Sequence, residues 1–423
     1  MTGLDRVDAS APGGEPGELI AGADLDAARA AVAELALRTP VVPCQELSEI
    51  AGGPVLLKAE CLQSTGSFKI RGALNRIAAL GSDAAAGLVT ASAGNHARAV
   101  AYAARAKGLG CEVFMPRDAP VSKVLAVEAL GARVRLAGDT VDEALEEAQA
   151  AAATGGAAFV HPFDDADVIA GQATLGLELA EDVPGLARVI VPVGGGGLAS
   201  GIGIALRRSG VEAELLGVQA ALCAPFAEAI GEPGMGGAAG APVLSETTIA
   251  DGVAVKRPGA LTMPLLRSLL DGLATVSEDQ IADAMVFLAE RAKLVAEGAG
   301  AVAAAALLAG SLAPTEGPTV AIVSGGNVDS GLLASLLLRH EAEEGRRVRI
   351  HTRVPDRPGG LAELLGLIAS LRANVLSIEH RRETVPLHPR ETAVELTLET
   401  RGPGHTDEVL AALAARGYEA RLG

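Results

Sequence analysis

Apolar and polar positions alternate along this chain in two rhythms. Short apolar runs rich in Val, Leu and Ile are each followed by longer stretches with helical spacing of apolar residues. VLLKAE leads into a helical pattern from Lys69, GLVTAS into one near Asn95, and CEVFMP into one near Val121. ARVRLAG leads into the Ala/Glu-rich stretch from Asp139 to Ala152. The runs AAFVHP, ARVIVPVG and ELLGVQA continue the alternation as far as TVAIVSGGN, which ends at Asn327. Glycine or proline marks nearly every change of period, as expected between strands and helices. The pattern predicts an α/β fold whose parallel or mixed sheets are flanked by helices.

Beyond Asn327 comes a helical run, GLLASLLLRH, and then the charged joint EAEEGRR. Charge density rises there and the apolar period breaks, which places a domain boundary near residue 345. The rest reads as strand (VRIHTRV), turn (PDRPGG), helix (LAELLGLIASLR) and strand (NVLSIEHRRE). A proline-broken loop, a strand (ETAVELTLET), a helix (TDEVLAALAARG) and a short tail follow. That order predicts a ferredoxin-like βαββαβ module. The expected division is a disordered lead-in at 1–19, a main domain at 20–340, a linker at 341–347 and the small module at 348–423. Within the main domain, a smaller subdomain at about 55–157 is inserted.

Composition narrows the function classes. Hydrophobic residues make up 49% of the 423, but alanine and valine dominate and aromatics are only 2%. The alanine-rich runs near residues 150 and 303 are too weak or too short to span a bilayer. The N-terminus carries acid and proline where a signal peptide needs basic and then apolar residues, so a cytoplasmic protein without a membrane partner is expected. The 35 Lys and Arg stand against 52 Asp and Glu, a net charge of −17. A nucleic-acid partner needs a basic footprint, and none stands out. Cys44, Cys61, Cys111 and Cys223 are far apart, which fits reduced thiols. The histidines show no metal-ligand spacing, so no metal site is expected.

Four segments carry candidate chemistry. In STGSFKIRGALN, a lysine sits where a loop turns into a helix, at the positive end that favours anions. Ser67 could simply cap that helix, with Lys69 solvated and Phe68 a core anchor. Alternatively Lys69 is a desolvated amine of lowered pKa, able to add to an aldehyde as a Schiff-base lysine. In VIVPVGGGGLASGI, a strand runs into Gly194, Gly195, Gly196 and Gly197, with a helix expected from Leu198 or Ala199. Bare N–H groups at a helix start suit a phosphate, whereas a tight turn alone needs fewer glycines. Gly194, Gly196 and Ala199 also satisfy a dinucleotide fingerprint, with Glu212 or Glu214 downstream, which keeps a nicotinamide oxidoreductase as a rival. In TASAGNHARAVA, the helix start at Ser92 to Asn95 suits a carboxylate or a phosphate, or Asn95 caps the helix and nothing more. IVSGGN, with Ser324, is alone an ordinary strand-to-helix loop.

Together these segments resemble the fold type II (tryptophan-synthase-β-like) pyridoxal-phosphate enzymes, and within them the threonine dehydratases with their serine dehydratase and serine racemase relatives. KAECLQSTGSFKIRGA, SAGNHARAVA, HPFDDADVIAGQATLGLEL, VPVGGGGLASGI, TIADGVAVKRPG and SGGN occur in family order across roughly residues 20 to 340. The resemblance implies pyridoxal 5′-phosphate as cofactor, bonded by Lys69 as catalytic residue and flanked by Phe68. It implies that Asn95 meets the 3′-hydroxyl and that Gly194, Gly195, Gly196, Gly197 and Leu198 cradle the phosphate. Ser324 is implied as partner of the ring nitrogen, and Ser92, Ala93, Gly94, Asn95 and His96 as the loop for the substrate carboxylate.

Two departures bear on the reaction. Ala93 stands where serine racemases carry a second serine as acid and base, which disfavours racemisation. GVQAALCAP has Gln219 and no carboxylate where racemase-like members hold a cation. VPDRPGGLAELL resembles an ACT domain, a module that binds amino acids between paired copies, with Asp356, Pro358 and Gly359 in its ligand turn. The implied function is L-threonine dehydration to 2-oxobutanoate and ammonia, with L-serine as a side substrate and an amino-acid effector at the ACT domain. L-Serine or 3-hydroxyaspartate dehydration on the same scaffold is the nearest alternative, and a non-catalytic amino-acid sensor a remoter one. ACT pairing implies a homodimer or homotetramer.

Overall fold

A computed structural model describes residues 5–6, 24–230, 248–310, 312–381 and 390–423. The chain divides into two units, residues 1–329 and 330–423. The first contains two sheets. The larger runs Asp5–Arg6, Gly272–Val276, Glu214–Ala220, Arg188–Pro192, Thr319–Ile322, Val55–Lys58 and Val41–Pro43. Its five inner strands are parallel, and the outermost pair on each side is antiparallel. The smaller sheet is all parallel and runs Arg133–Leu136, Cys111–Met115, Leu88–Ala91 and Ala158–Phe159.

Parallel strands need covered faces, and the sequence supplies them. The helices Ala166–Asp182 and Gly197–Arg208 pack against the larger sheet around Ile169, Leu175, Ile202 and Val189. The Ala/Gly-rich helix Gly298–Leu308 is buried from Gly298 to Leu307, because small side chains let sheet and neighbours approach from every side. That is the apolar run near residue 303. Among the described residues no helix is long and apolar enough to cross a membrane. The helices Lys69–Leu80 and Asn95–Ala106 share a second core around Ile70, Leu74 and Val100. Cys44 and Cys61 are buried, and all four cysteines are free thiols.

Several boundaries differ from those expected. Val55–Lys58 pairs with Thr319–Ile322 in the larger sheet, so the smaller sheet takes only strands between 88 and 159, not the chain from about 55. The Ala/Glu-rich helix is Val141–Gly155, capped by the Thr140 hydroxyl, rather than 139–152. Within the 1–19 lead-in, Asp5–Arg6 pairs as an edge strand with Gly272–Leu273, and the rest lies outside the described residues. The helix Ser330–Glu343 falls in the second unit and runs into the stretch expected as the 341–347 linker. Glutamate, alanine and arginine are good helix formers, so a rise in charge did not mean a break in the helix.

The second unit continues with an antiparallel sheet ordered Asn374–Arg381, Glu391–Glu399, Arg347–Pro355 and Arg421–Leu422, with helices Gly360–Ser370 and Pro403–Ala415. This is the βαββαβ order. Burial alternates residue by residue along Arg347–Pro355, so that Val348, Ile350 and Val354 meet Leu364, Ile368, Val409 and Leu413 in one core.

Candidate active site

The helix that starts at Lys69 has Phe68 in the cap position, and no side chain caps it. The hydroxyl of Ser67 is buried and finds no partner, so the capping role open to it from the sequence is not realised. Lys69 Nζ donates to the carbonyl of Pro162 at 2.8 Å and lies 5.1 Å from the centre of the Phe68 ring. Burial lowers its pKa to about 8, against the opposing pull of Glu297. A lysine so held sheds its proton easily, which removes the conflict with the positive helix end. His96 and His161 lie close enough to the ammonium to feel it. Burial first, and Lys69 second, depress His96 to about 3, so its ring is neutral. Its Nε2 bonds the Val160 carbonyl at 3.1 Å, in the interior of the protein.

The glycine loop is shaped by what stands behind it. Gly196 adopts φ +90° and caps a helix that begins at Gly197, with no side chain on its first-turn N–H groups. Those groups have no carbonyl one turn earlier to bond, so they remain available to an anion. A side chain on Gly195 would overlap the Phe163 ring, and one on Gly194 would come within 2.9 Å of Val253 Cα. The loop is held from the rear: Thr262 Oγ1 donates to the Gly195 carbonyl at 2.7 Å. Asp164 in turn accepts from the N–H groups of Ala260, Leu261 and Thr262 at 2.9 to 3.0 Å. Phe163 thus backs the glycines while its neighbour Pro162 receives Lys69, so the lysine and the loop belong to one site.

The third and fourth segments close it. Gly94, not Asn95, is the cap of the Asn95 helix, and the Asn95 side chain is used elsewhere. Its Nδ2 donates to Glu297 Oε1 at 2.5 Å and its Oδ1 accepts from Asn327 Nδ2 at 2.7 Å. Glu297 is raised to about 7, chiefly by burial, although the Asn95 bond pulls the other way. The Phe68 N–H donates to the Ser324 carbonyl at 3.1 Å, and Ser67 pairs with Gly325, which pins the SGGN loop beside Lys69. Ser324 Oγ is buried and donates to the Ala299 carbonyl at 3.2 Å. Nothing lies within 4 Å of the place a Gly94 side chain would occupy, so the Ser92–His96 loop borders open space. Glu297 and Thr262 lie outside every segment singled out from the sequence, and Phe163, Asp164 and Asn327 lie inside such segments with no role assigned to them.

In the second unit, Asp356, Pro358 and Gly359 line a cavity of about 590 Å³ together with Arg357, His380 and Thr392. Gly359 caps the following helix at φ +88°, a conformation that suits glycine and leaves the helix N–H groups uncapped by side chains.

Residues 32–325 match the pyridoxal-phosphate dependent enzyme family, and residues 348–417 match the ACT domain. The chain is 44% identical over 405 residues to an L-threonine ammonia-lyase of Thermotoga maritima, covering 94% of this chain and 98% of that protein. It is 43% identical over 382 residues to another of Geobacter sulfurreducens, covering 90% and 94%. A solved structure of threonine deaminase isoform 2 from Solanum lycopersicum superposes with a TM-score of 0.70 at 32% identity, over 79% of this chain and 96% of that one. The residues present fit the cofactor that gives the family its name. There is an amine of lowered pKa against an aromatic ring, a run of glycines with no room for side chains at an uncapped helix start, and an unpartnered Ser67 hydroxyl. This chain belongs to the pyridoxal-phosphate dependent enzymes, with an ACT domain at its C-terminal end.

Proposed function

We propose that the protein is a threonine ammonia-lyase, converting L-threonine to 2-oxobutanoate and ammonia, with L-serine as a slower substrate. The observation that carries this reading is the Lys69 amine, drawn down to about 8 and joined through Pro162 and Phe163 to the glycine loop. The threonine ammonia-lyases cited above match it along nearly their full length.

When bound, pyridoxal phosphate supplies an aldehyde that takes up amines and an electron-poor ring that acidifies a neighbouring C–H bond. Gly194 to Leu198 would hold its phosphate through main-chain N–H groups, Phe68 would flank its ring, and Asn95 would meet its ring oxygen. Ser324 would face its ring nitrogen; its hydroxyl, which donates to the Ala299 carbonyl here, carries no charge that could keep that nitrogen protonated as a carboxylate would. Lys69 is the residue that would bond the aldehyde, and its amine, neutral once free, is placed to act as general base on the substrate Cα proton. A pKa near 8 keeps a useful fraction of the amine neutral at working pH. The N–H groups of Ser92 to His96 orient the substrate carboxylate. Ala93 packs against the small-subdomain core and offers no proton on the opposite face, which favours elimination over racemisation.

The cavity at Asp356, Pro358 and Gly359 is the proposed effector site, and pairing of ACT domains makes the enzyme at least a dimer. Steady-state turnover on L-threonine, L-serine and 3-hydroxyaspartate tests the reading. Threonine is expected to be the best substrate; a negligible threonine rate beside a high rate on either of the others would replace it.

A further inference from the structure

The side chain of Asn95 can meet a ligand with either its oxygen or its nitrogen, and the two ends do opposite chemistry. Three groups on different elements decide which. The Thr65 carbonyl is main chain and can only accept, and Asn327 Nδ2 donates to it at 2.9 Å. The orientation of Asn327 is therefore fixed, since its oxygen turned that way would face another acceptor. The second hydrogen of the same Nδ2 goes to Asn95 Oδ1 at 2.7 Å, which fixes Asn95 in turn. Asn95 Nδ2 then points to Glu297 Oε1 at 2.5 Å. One amide hydrogen is spent on that bond and one remains. Glu297 Oε1 accepts the first of them whether or not the other carboxyl oxygen carries a proton.

The backbone is built around this chain. A side chain at Gly325 would overlap Glu297 Oε1, and one at Gly66 would overlap Asn327 Oδ1. Glu297 is itself anchored by its N–H on the Gly325 carbonyl at 3.1 Å.

We propose that Glu297 is a positioning residue, which, with Asn327 and Thr65, locks Asn95 so that its remaining amide hydrogen faces the cofactor's ring oxygen. The proposal rests on the reading above that Asn95 meets the cofactor. It requires of Glu297 an acceptor oxygen, and it requires that the larger part of its effect on cofactor binding pass through Asn95, beside its direct charge effect on Lys69.

A double-mutant cycle on the reconstituted full-length enzyme tests both requirements. The readouts are the dissociation constant of pyridoxal phosphate and the visible spectrum of the bound cofactor, with the melting temperature of the cofactor-free protein as the measure of fold. Glu297→Met keeps the volume without an acceptor and is expected to weaken cofactor binding roughly ten-fold and to shift the visible band. Glu297→Gln keeps an acceptor and is expected to stay within about three-fold of wild type. In an Asn95→Ala background, Glu297→Met is expected to add less than about two-fold. Should Glu297→Met fail to fold, Glu297→Ala takes its place in the cycle. The proposal is overturned if the two substitutions multiply, if Glu297→Gln is as impaired as Glu297→Met, or if Glu297→Met binds like wild type. If wild type itself shows no bound pyridoxal band, it is the functional reading that fails instead.

Discussion

The guanidinium of Arg71 holds both carboxylate oxygens of Glu60, at 2.9 and 2.8 Å, in a pair from which solvent is fully excluded. Glu178 takes the other side of the same guanidinium at 2.7 and 3.0 Å and also accepts from the buried Lys58 at 2.6 Å. Two cations and two carboxylates thus balance one another two residues from Lys69, tying the start of its helix to the larger sheet and to the helix Ala166–Asp182. Desolvation of such groups is costly, so the arrangement stands only while each charge keeps its partner.

Removing one partner should therefore be severe. Arg71→Met leaves Glu60 buried beside the more distant Lys58, and a loss of about 3–5 kcal/mol is expected. Urea unfolding of wild type and variant, both cofactor-loaded, checks this; a change below about 1 kcal/mol would mean the network bears little of the stability.

Lys69 predicts how the cofactor-free protein meets its aldehyde. Only the neutral amine adds, so the rate of recombination with pyridoxal phosphate should rise with pH around a midpoint near 8. An ordinary lysine would place that midpoint near 10.4. The sign for stability follows. Between pH 8 and the ordinary lysine value the unfolded chain holds a proton that the folded one has lost, so the cofactor-free protein gains stability as pH rises through that window. Stopped-flow absorbance gives the first midpoint and thermal melts the second trend.

His96 should stay silent. With its pKa near 3, the ring is neutral throughout the working range, and its carbon-bound proton resonances should show no imidazole titration between pH 5 and 9. A titration near 6.5 in the nuclear magnetic resonance spectrum would contradict the buried contact with Val160.

The two kinds of glycine at the site should respond oppositely. Gly195→Ala drives a methyl into the Phe163 ring, and cofactor affinity is expected to fall by on the order of 1–3 kcal/mol. Gly94→Ala meets nothing in the protein, so cofactor affinity should hold while the KM for threonine rises, because the methyl enters the space assigned to the substrate carboxylate. Equal effects of both on cofactor binding would break that assignment.

Much of this site was legible because each motif is local. The strand, the turn and the first helical turn that carry Lys69, Asn95 and the four glycines are contiguous in sequence, and their residue types state what the backbone must do. The partners were not legible. Glu297 lies 202 positions from Asn95, and Asp164 about a hundred from the N–H groups it receives, so only folding brings them together. Val55–Lys58 shows the same limit for the fold, since a strand's pattern says that it pairs but not with which sheet. A cap is ambiguous for a related reason. Ser67 and Asn95 both have capping chemistry, yet Phe68 and Gly94 occupy the cap positions, the Ser67 hydroxyl stays unpartnered and the Asn95 side chain bonds Glu297 and Asn327.

The central claim is that Lys69 alone bonds the cofactor. Borohydride reduction of the cofactor-loaded enzyme, followed by proteolysis and mass spectrometry, reads this directly. A single pyridoxyl group is expected, on Lys69 within the peptide that contains Ser67 and Phe68. A pyridoxyl group on any other lysine, or none on a protein that still turns over threonine, would contradict it.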